Sequence, residues 1–186
     1  MATDSEQKKQ RQDQKTVIIH IFVAFILVFC FVLASVYIPF PKLHLPTLLD
    51  RVVFTLRCLV VSVIAIVAGV TYVERARWHT VAINPLNPNG KKFTELRQNC
   101  LQNTVEQFLI HSFSIIALST YLTEGQMHTI PLLIALFVIA RALFFVGYSI
   151  DPIWRSVGFA MTWFPTLLVS GYCLYCIYVH GVQAPQ

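Results

Sequence analysis

Charge is scarce in this chain. Asp, Glu, Lys and Arg make up 12% of 186 residues, against 56% hydrophobic residues and a mean hydropathy of +0.63. Soluble domains rarely reach that balance. Long polar stretches are also missing, which leaves room only for an N-terminal tail, two moderate connections and a short C-terminal tail outside apolar sequence. No Asn-x-Ser/Thr acceptor occurs, so glycosylation gives no handle on orientation. The one tract resembling a nucleic-acid arm, Lys8 to Lys15, is broken by Asp13 and several glutamines, and nucleic acid is not an expected partner. Histidines are scattered without ligand spacing, so no metal site is expected. Four of the five cysteines lie inside apolar runs and Cys100 opens one, which argues against a disulfide framework. Cys173-x-x-Cys176 then reads as a pair of small packing residues.

What is present is a set of five apolar runs: Val17–Ile38, Val52–Val73, Leu101–Leu122, Pro131–Ile150 and Ser156–Val179. Crossing a hydrocarbon core of about 30 Å takes about 20 helical residues, so each run is a credible span and the lipid bilayer is an implied partner. The expected fold is an all-α polytopic membrane bundle. The first run is too long for a removable signal and no small-x-small site precedes Pro39, so it reads as a retained signal anchor.

Lys and Arg near the span ends number ten in the N-terminal tail, the second connection and the fourth turn together, against two (Lys42, Arg51) on the opposite side. This places the N-terminus in the cytosol and the C-terminus in the lumen. Prolines 39, 41 and 46 stiffen the first connection, Asn84–Gly90 is a turn-rich loop, and Asp151-Pro152 makes spans four and five a tight antiparallel hairpin. Arg57, about one turn inside the second span, is expected to snorkel to the lumenal interface or to pair with Asp50.

Polar residues inside the later spans carry the functional signal, because a charge at mid-membrane costs roughly 2.5–3.5 kcal/mol on the insertion scale. On the third helix Asn99, Asn103, Glu106, Gln107, His111 and Ser114 fall within an arc of roughly 140°. On the fourth, Arg141 and Tyr148 are seven residues apart and share a face, and Arg155 opens the fifth on the same side of the membrane. Glu106, Asn103, Arg141, Tyr148 and Arg155 are thus expected to converge on one cytosol-facing pocket. One reading is a structural network in which Glu106 neutralises Arg141. The other notes two arginines and a tyrosine against one carboxylate, a surplus suited to an anionic ligand. His111, deeper in the membrane, reads as a residue hydrogen-bonding between helices.

These spacings resemble the MAPEG superfamily, the membrane-associated proteins in eicosanoid and glutathione metabolism. Its R-x-x-x-N-x-x-E motif corresponds to Asn99-Cys100-Leu101-Gln102-Asn103-Thr104-Val105-Glu106. Its Arg, Tyr seven residues on, and a further Arg correspond to Arg141, Tyr148 and Arg155, with Gly158 just inside the last helix. The resemblance implies a four-helix domain over residues 47–180, preceded here by a cytosolic tail over 1–16 and an extra transmembrane helix over 17–38, and followed by a lumenal tail over 181–186. It also implies a homotrimer in a secretory-pathway membrane, endoplasmic reticulum or Golgi. Glutathione would bind between subunits, as substrate or ligand, at Asn103, Glu106, Arg141 and Tyr148. Arg155 would be catalytic, lowering the thiol pKa from about 8.5 to favour thiolate, and a lipophilic small molecule would enter from the bilayer. Conjugation or peroxide reduction is the implied activity. Asn99 replaces the motif's leading arginine and removes a carboxylate clamp. The alternative is a non-catalytic membrane protein that binds a lipid or regulates partner membrane proteins.

Overall fold

A computed structural model describes residues 4–41 and 43–181. It contains five helices: α1 Asp4–Val36, α2 Leu48–Trp78, α3 Lys91–Tyr121, α4 Thr129–Ile150 and α5 Arg155–His180. Each expected span lies within or across one of them. The helices overrun the apolar runs at the ends rich in Lys, Arg and Gln. Residues 4–16, expected as a tail, continue α1, because Glu, Gln, Lys and Arg are strong helix formers and Asp4 and Glu6 sit favourably in the first turn. Apart from Gly181, the expected lumenal tail lies outside the described residues.

Helices α1, α2, α4 and α5 are long and apolar enough to cross a membrane. Helix α3 equals α2 in length, 31 residues, but its polar stripe lowers its hydropathy. Its place is fixed by packing along α2. Arg51, in the first turns of α2, donates through Nη1 to the Leu122 carbonyl just past the end of α3, so the two run antiparallel.

Local chemistry sets the ends. Thr47 caps α2 reciprocally with Asp50: Asp50 N–H donates to Thr47 Oγ1 at 3.1 Å and Thr47 N–H to Asp50 Oδ2 at 3.2 Å. Asp50 is thereby engaged with the cap and not with Arg57, whose side chain is exposed. The Asn84–Gly90 loop and its approach form two 3₁₀ turns, Val81–Ile83 and Pro88–Gly90. Pro131 occupies the first turn of α4, where its missing N–H costs nothing.

Lipid tails are as apolar as leucine, so helix association here rests on close packing and buried polar contacts. One cluster joins α2, α3, α4 and α5 through Leu59, Ile115, Leu118, Ile134 and Cys173. A second joins α1 to the hairpin through Ala24, Leu136, Ala140, Ala160 and Met161. Ala24 is the only described α1 residue that is buried. That helix is peripheral, held to α5 by His20 Nδ1 against Ser156 Oγ at 2.7 Å and by Phe25 against Phe164. The α4–α5 hairpin is closest at Gly158, where an added Cβ would lie 2.3 Å from Phe144 N and 2.5 Å from the Ala140 carbonyl oxygen. Cys173 and Cys176 are buried, and all five cysteines are free thiols.

Candidate functional site

Arg141 anchors the polar centre of the bundle. The Gly158 contact brings α5 against the stretch of α4 that carries it, and its side chain is fully buried. Nη1 donates to Asn103 Oδ1 of α3 at 3.0 Å and Nη2 to Thr162 Oγ1 of α5 at 2.6 Å. The guanidinium lies 4.4 Å from the Phe144 ring centre and 5.9 Å from that of Phe137, so aromatic faces supply part of the stabilisation that water would otherwise give. Nε has no partner among the described residues.

No carboxylate is paired with it there, which corrects one expectation. Glu106 does not neutralise Arg141. It is exposed on α3 and accepts from Gln102 Nε2, one turn back, at 3.0 Å. The reason is rotational. The side of α3 that meets α4 and α5 carries Cys100, Thr104, Gln107 and His111, all buried, while Asn99, Gln102 and Glu106 stand on the outer side of the single chain. Asn103 lies at the boundary, exposed along one edge and bonded inward along the other. The polar arc of about 140° is therefore split by the packing.

Tyr148 and Arg155 form the second half of the site. Tyr148 is buried beside Phe144, ring centres 5.6 Å apart, with Cys100 packed in the same cluster. Arg155, exposed at the start of α5, places its guanidinium 5.1 Å from the Tyr148 ring centre, with Nη1 3.4 Å from the phenol oxygen. That last contact is long for a hydrogen bond, so the arginine is held mainly over the ring. Of the five residues expected to converge, four are brought together in two linked pairs, Asn103–Arg141 and Tyr148–Arg155. Glu106 stands apart.

His111 also departs from expectation. It stacks on Phe137 at 4.4 Å with the rings 17° from parallel, and its Nε2 has no hydrogen-bond partner among the described residues. The ring borders a cavity of about 10 Å³ shared with Pro165, Thr162 and Thr166. The helix-to-helix polar contact is made by a neighbour instead: Ser114 Oγ meets Ser170 Oγ at 2.7 Å.

Thr162 is the site residue the sequence reading passed over. Its signal was available: it lies one turn after Gly158 and two turns after Arg155, hence on their face of α5.

The fold and this site define a polytopic helical membrane protein with a buried arginine network. The MAPEG family profile matches residues 52–175, and the chain belongs to that family. It is similar to Transmembrane protein 79 (mattrin) of Mus musculus, 29% identical over 146 residues that cover 78% of this chain and 37% of the relative. Against the Bos taurus counterpart it is 27% identical over the same shares. The chain thus spans little more than a third of the length of these curated relatives. The match extends beyond the family domain, since 146 residues exceed it. No solved structure matches the chain.

Proposed function

We propose that this is a non-catalytic member of the MAPEG family, an oligomeric membrane protein whose exposed polar strip on α3 docks a lipophilic ligand or a partner membrane helix. The observation that carries the reading is the state of Arg141: it is fully buried, and each terminal nitrogen already donates to a protein oxygen, Nη1 to Asn103 and Nη2 to Thr162. An arginine that clamps a ligand carboxylate has to turn an accessible edge of the guanidinium toward it. Here the buried guanidinium ties α3, α4 and α5 together. Asn99 in place of the family's arginine and Glu106 turned to Gln102 point the same way.

The strip Asn99, Gln102, Asn103 and Glu106 extends about 10 Å along α3 at 1.5 Å per residue, next to apolar helices. Lipid does not tolerate such a face, which supports coverage by a neighbouring subunit, and a homotrimer is the arrangement the family suggests. In this reading the N-terminus is cytosolic, by the distribution of Lys and Arg, in an endoplasmic reticulum or Golgi membrane.

A second reading, glutathione-dependent conjugation or peroxide reduction, is favoured by one observation. Arg155 is exposed with its guanidinium over Tyr148, free to meet a thiolate. Titration of the purified oligomer with glutathione, followed by calorimetry and thiolate ultraviolet absorbance, separates the two. The non-catalytic reading expects no thiolate band and no turnover of a model electrophile. A thiolate band abolished by Arg155→Ala would replace it with the enzymatic one.

A further inference from the structure

We propose that the groove between the last turns of α2 and the first turns of α3 binds the phosphorylated headgroup of an anionic membrane phospholipid. The groove, of about 490 Å³, is lined by Tyr72, Arg75, His79, Thr80, Phe93 and Arg97. It lies where the apolar stretch of α2 gives way to charge, the depth at which headgroup phosphates are found.

Its cations are presented ready for an anion. Arg97 is pre-positioned: its Nη1 donates to the Phe93 carbonyl at 2.8 Å and its guanidinium lies 4.8 Å from the Tyr72 ring centre. Little side-chain freedom is left to lose on binding. Arg75 faces it from α2, exposed and without a hydrogen-bond or ion-pair partner among the described residues. His79 follows one turn on, on the same face.

Charge balance singles out an anionic occupant. From Tyr72 to Arg97 there are five Lys and Arg (Arg75, Arg77, Lys91, Lys92, Arg97) against Glu74 and Glu95, and neither glutamate lines the groove. A second opening of about 450 Å³, lined by residues of both 3₁₀ turns, adds Arg77 and Lys91 to the same collar. Exposed Trp78 and Phe93 flank it, side chains that favour the membrane–water interface. A soluble polyanion has no use for that aromatic rim, whereas a lipid's glycerol and upper acyl region packs against it. Clusters of basic residues beside a transmembrane helix recognise anionic headgroups in this way.

The test uses the full chain purified in neutral detergent. It is challenged with dioctanoyl phosphatidylinositol monophosphate or dioctanoyl phosphatidylcholine, and retained lipid is counted by native mass spectrometry. The expected result is retention of the anionic lipid over the zwitterionic one. Arg75→Gln should cut that retention about fivefold, one basic residue's worth, while Arg75→Lys keeps most of it. Arg75 has no hydrogen-bond or ion-pair partner among the described residues, so the variant keeps its fold, and its unfolding midpoint provides the check. Equal retention of both lipids, or Arg75→Gln binding like the parent, would overturn the proposal. So would displacement by inorganic phosphate at equal concentration, which would assign the groove to a soluble anion.

Discussion

Arg141 of α4 and Asn103 of α3 are joined by a hydrogen bond of 3.0 Å in which the guanidinium Nη1 donates to the amide Oδ1. With Thr162 accepting from Nη2, a buried cation is held by two neutral oxygens and two aromatic faces. The charge is tolerated because both terminal nitrogens find acceptors and two rings face it, although Nε has no partner among the described residues.

The first prediction follows directly. Asn103→Ala combined with Thr162→Val leaves the guanidinium buried without acceptors and should cost about 3–5 kcal/mol, the usual penalty for an uncompensated buried charge. Arg141→Leu removes the charge along with its need for partners and should cost less. Unfolding midpoints of the two variants in the same detergent decide it. If Arg141→Leu proves the more damaging, the guanidinium itself is what stabilises the bundle.

Glu106 and Arg141 should be energetically independent. Glu106 bonds within α3 to Gln102, and Arg141 bonds across to Asn103 and Thr162. The effects of Glu106→Ala and Arg141→Ala are expected to add within about 0.5 kcal/mol in a double-mutant cycle. A larger coupling energy would show that the carboxylate reaches the arginine in the assembled protein.

Glycines of α5 should separate sharply by position. At Gly158 a Cβ would meet α4 backbone atoms at 2.3 and 2.5 Å, while at Gly171 nothing among the described residues lies within 4 Å. Gly158→Ala forces the hairpin apart and should cost about 1–3 kcal/mol or more, as overpacking does. It should also loosen the Arg141–Thr162 contact. Gly171→Ala should be neutral or stabilising by up to about 1 kcal/mol, through helix propensity alone. Comparable losses at both sites would mean that close helix approach is not what Gly158 provides.

A gain-of-function substitution probes the missing clamp. Asn99→Arg restores the family's leading arginine on the exposed side of α3. If the glutathione reading holds, it should raise glutathione affinity over the parent by about 1.5–3 kcal/mol, the worth of a hydrogen bond to a charged group; the non-catalytic reading expects no change. Isothermal titration of parent and variant measures it, and an unchanged affinity would mean that the strip does not face a glutathione site.

Much of this molecule was legible from the chain. Runs of about 20 apolar residues announce transmembrane helices whatever their neighbours do. Pro131, Asp151-Pro152 and the Asn84–Gly90 loop mark boundaries by local backbone chemistry. The seven-residue spacing from Arg141 to Tyr148, and again from Arg155 to Thr162, places each pair on one face of its helix. These are properties of a single helix, and a sequence states them. Helical periodicity also gathers Asn99, Asn103, Glu106, Gln107 and His111 onto one arc. It cannot say where on that arc α4 and α5 will press. That rotation is set by packing: Gly158 and Gly147 let α4 and the start of α5 approach closely, and on α3 it is Cys100, Thr104, Gln107 and His111 that are buried. The same packing turns Glu106 outward, gives Arg141 to Asn103 and Thr162, and stacks His111 on Phe137. The sequence by itself determined which residues are expensive to place in a membrane. Which of them pair, and which are left facing outward, only the tertiary structure decided, because a hydrogen bond between helices depends on their rotation and close approach, neither of which a single helix encodes.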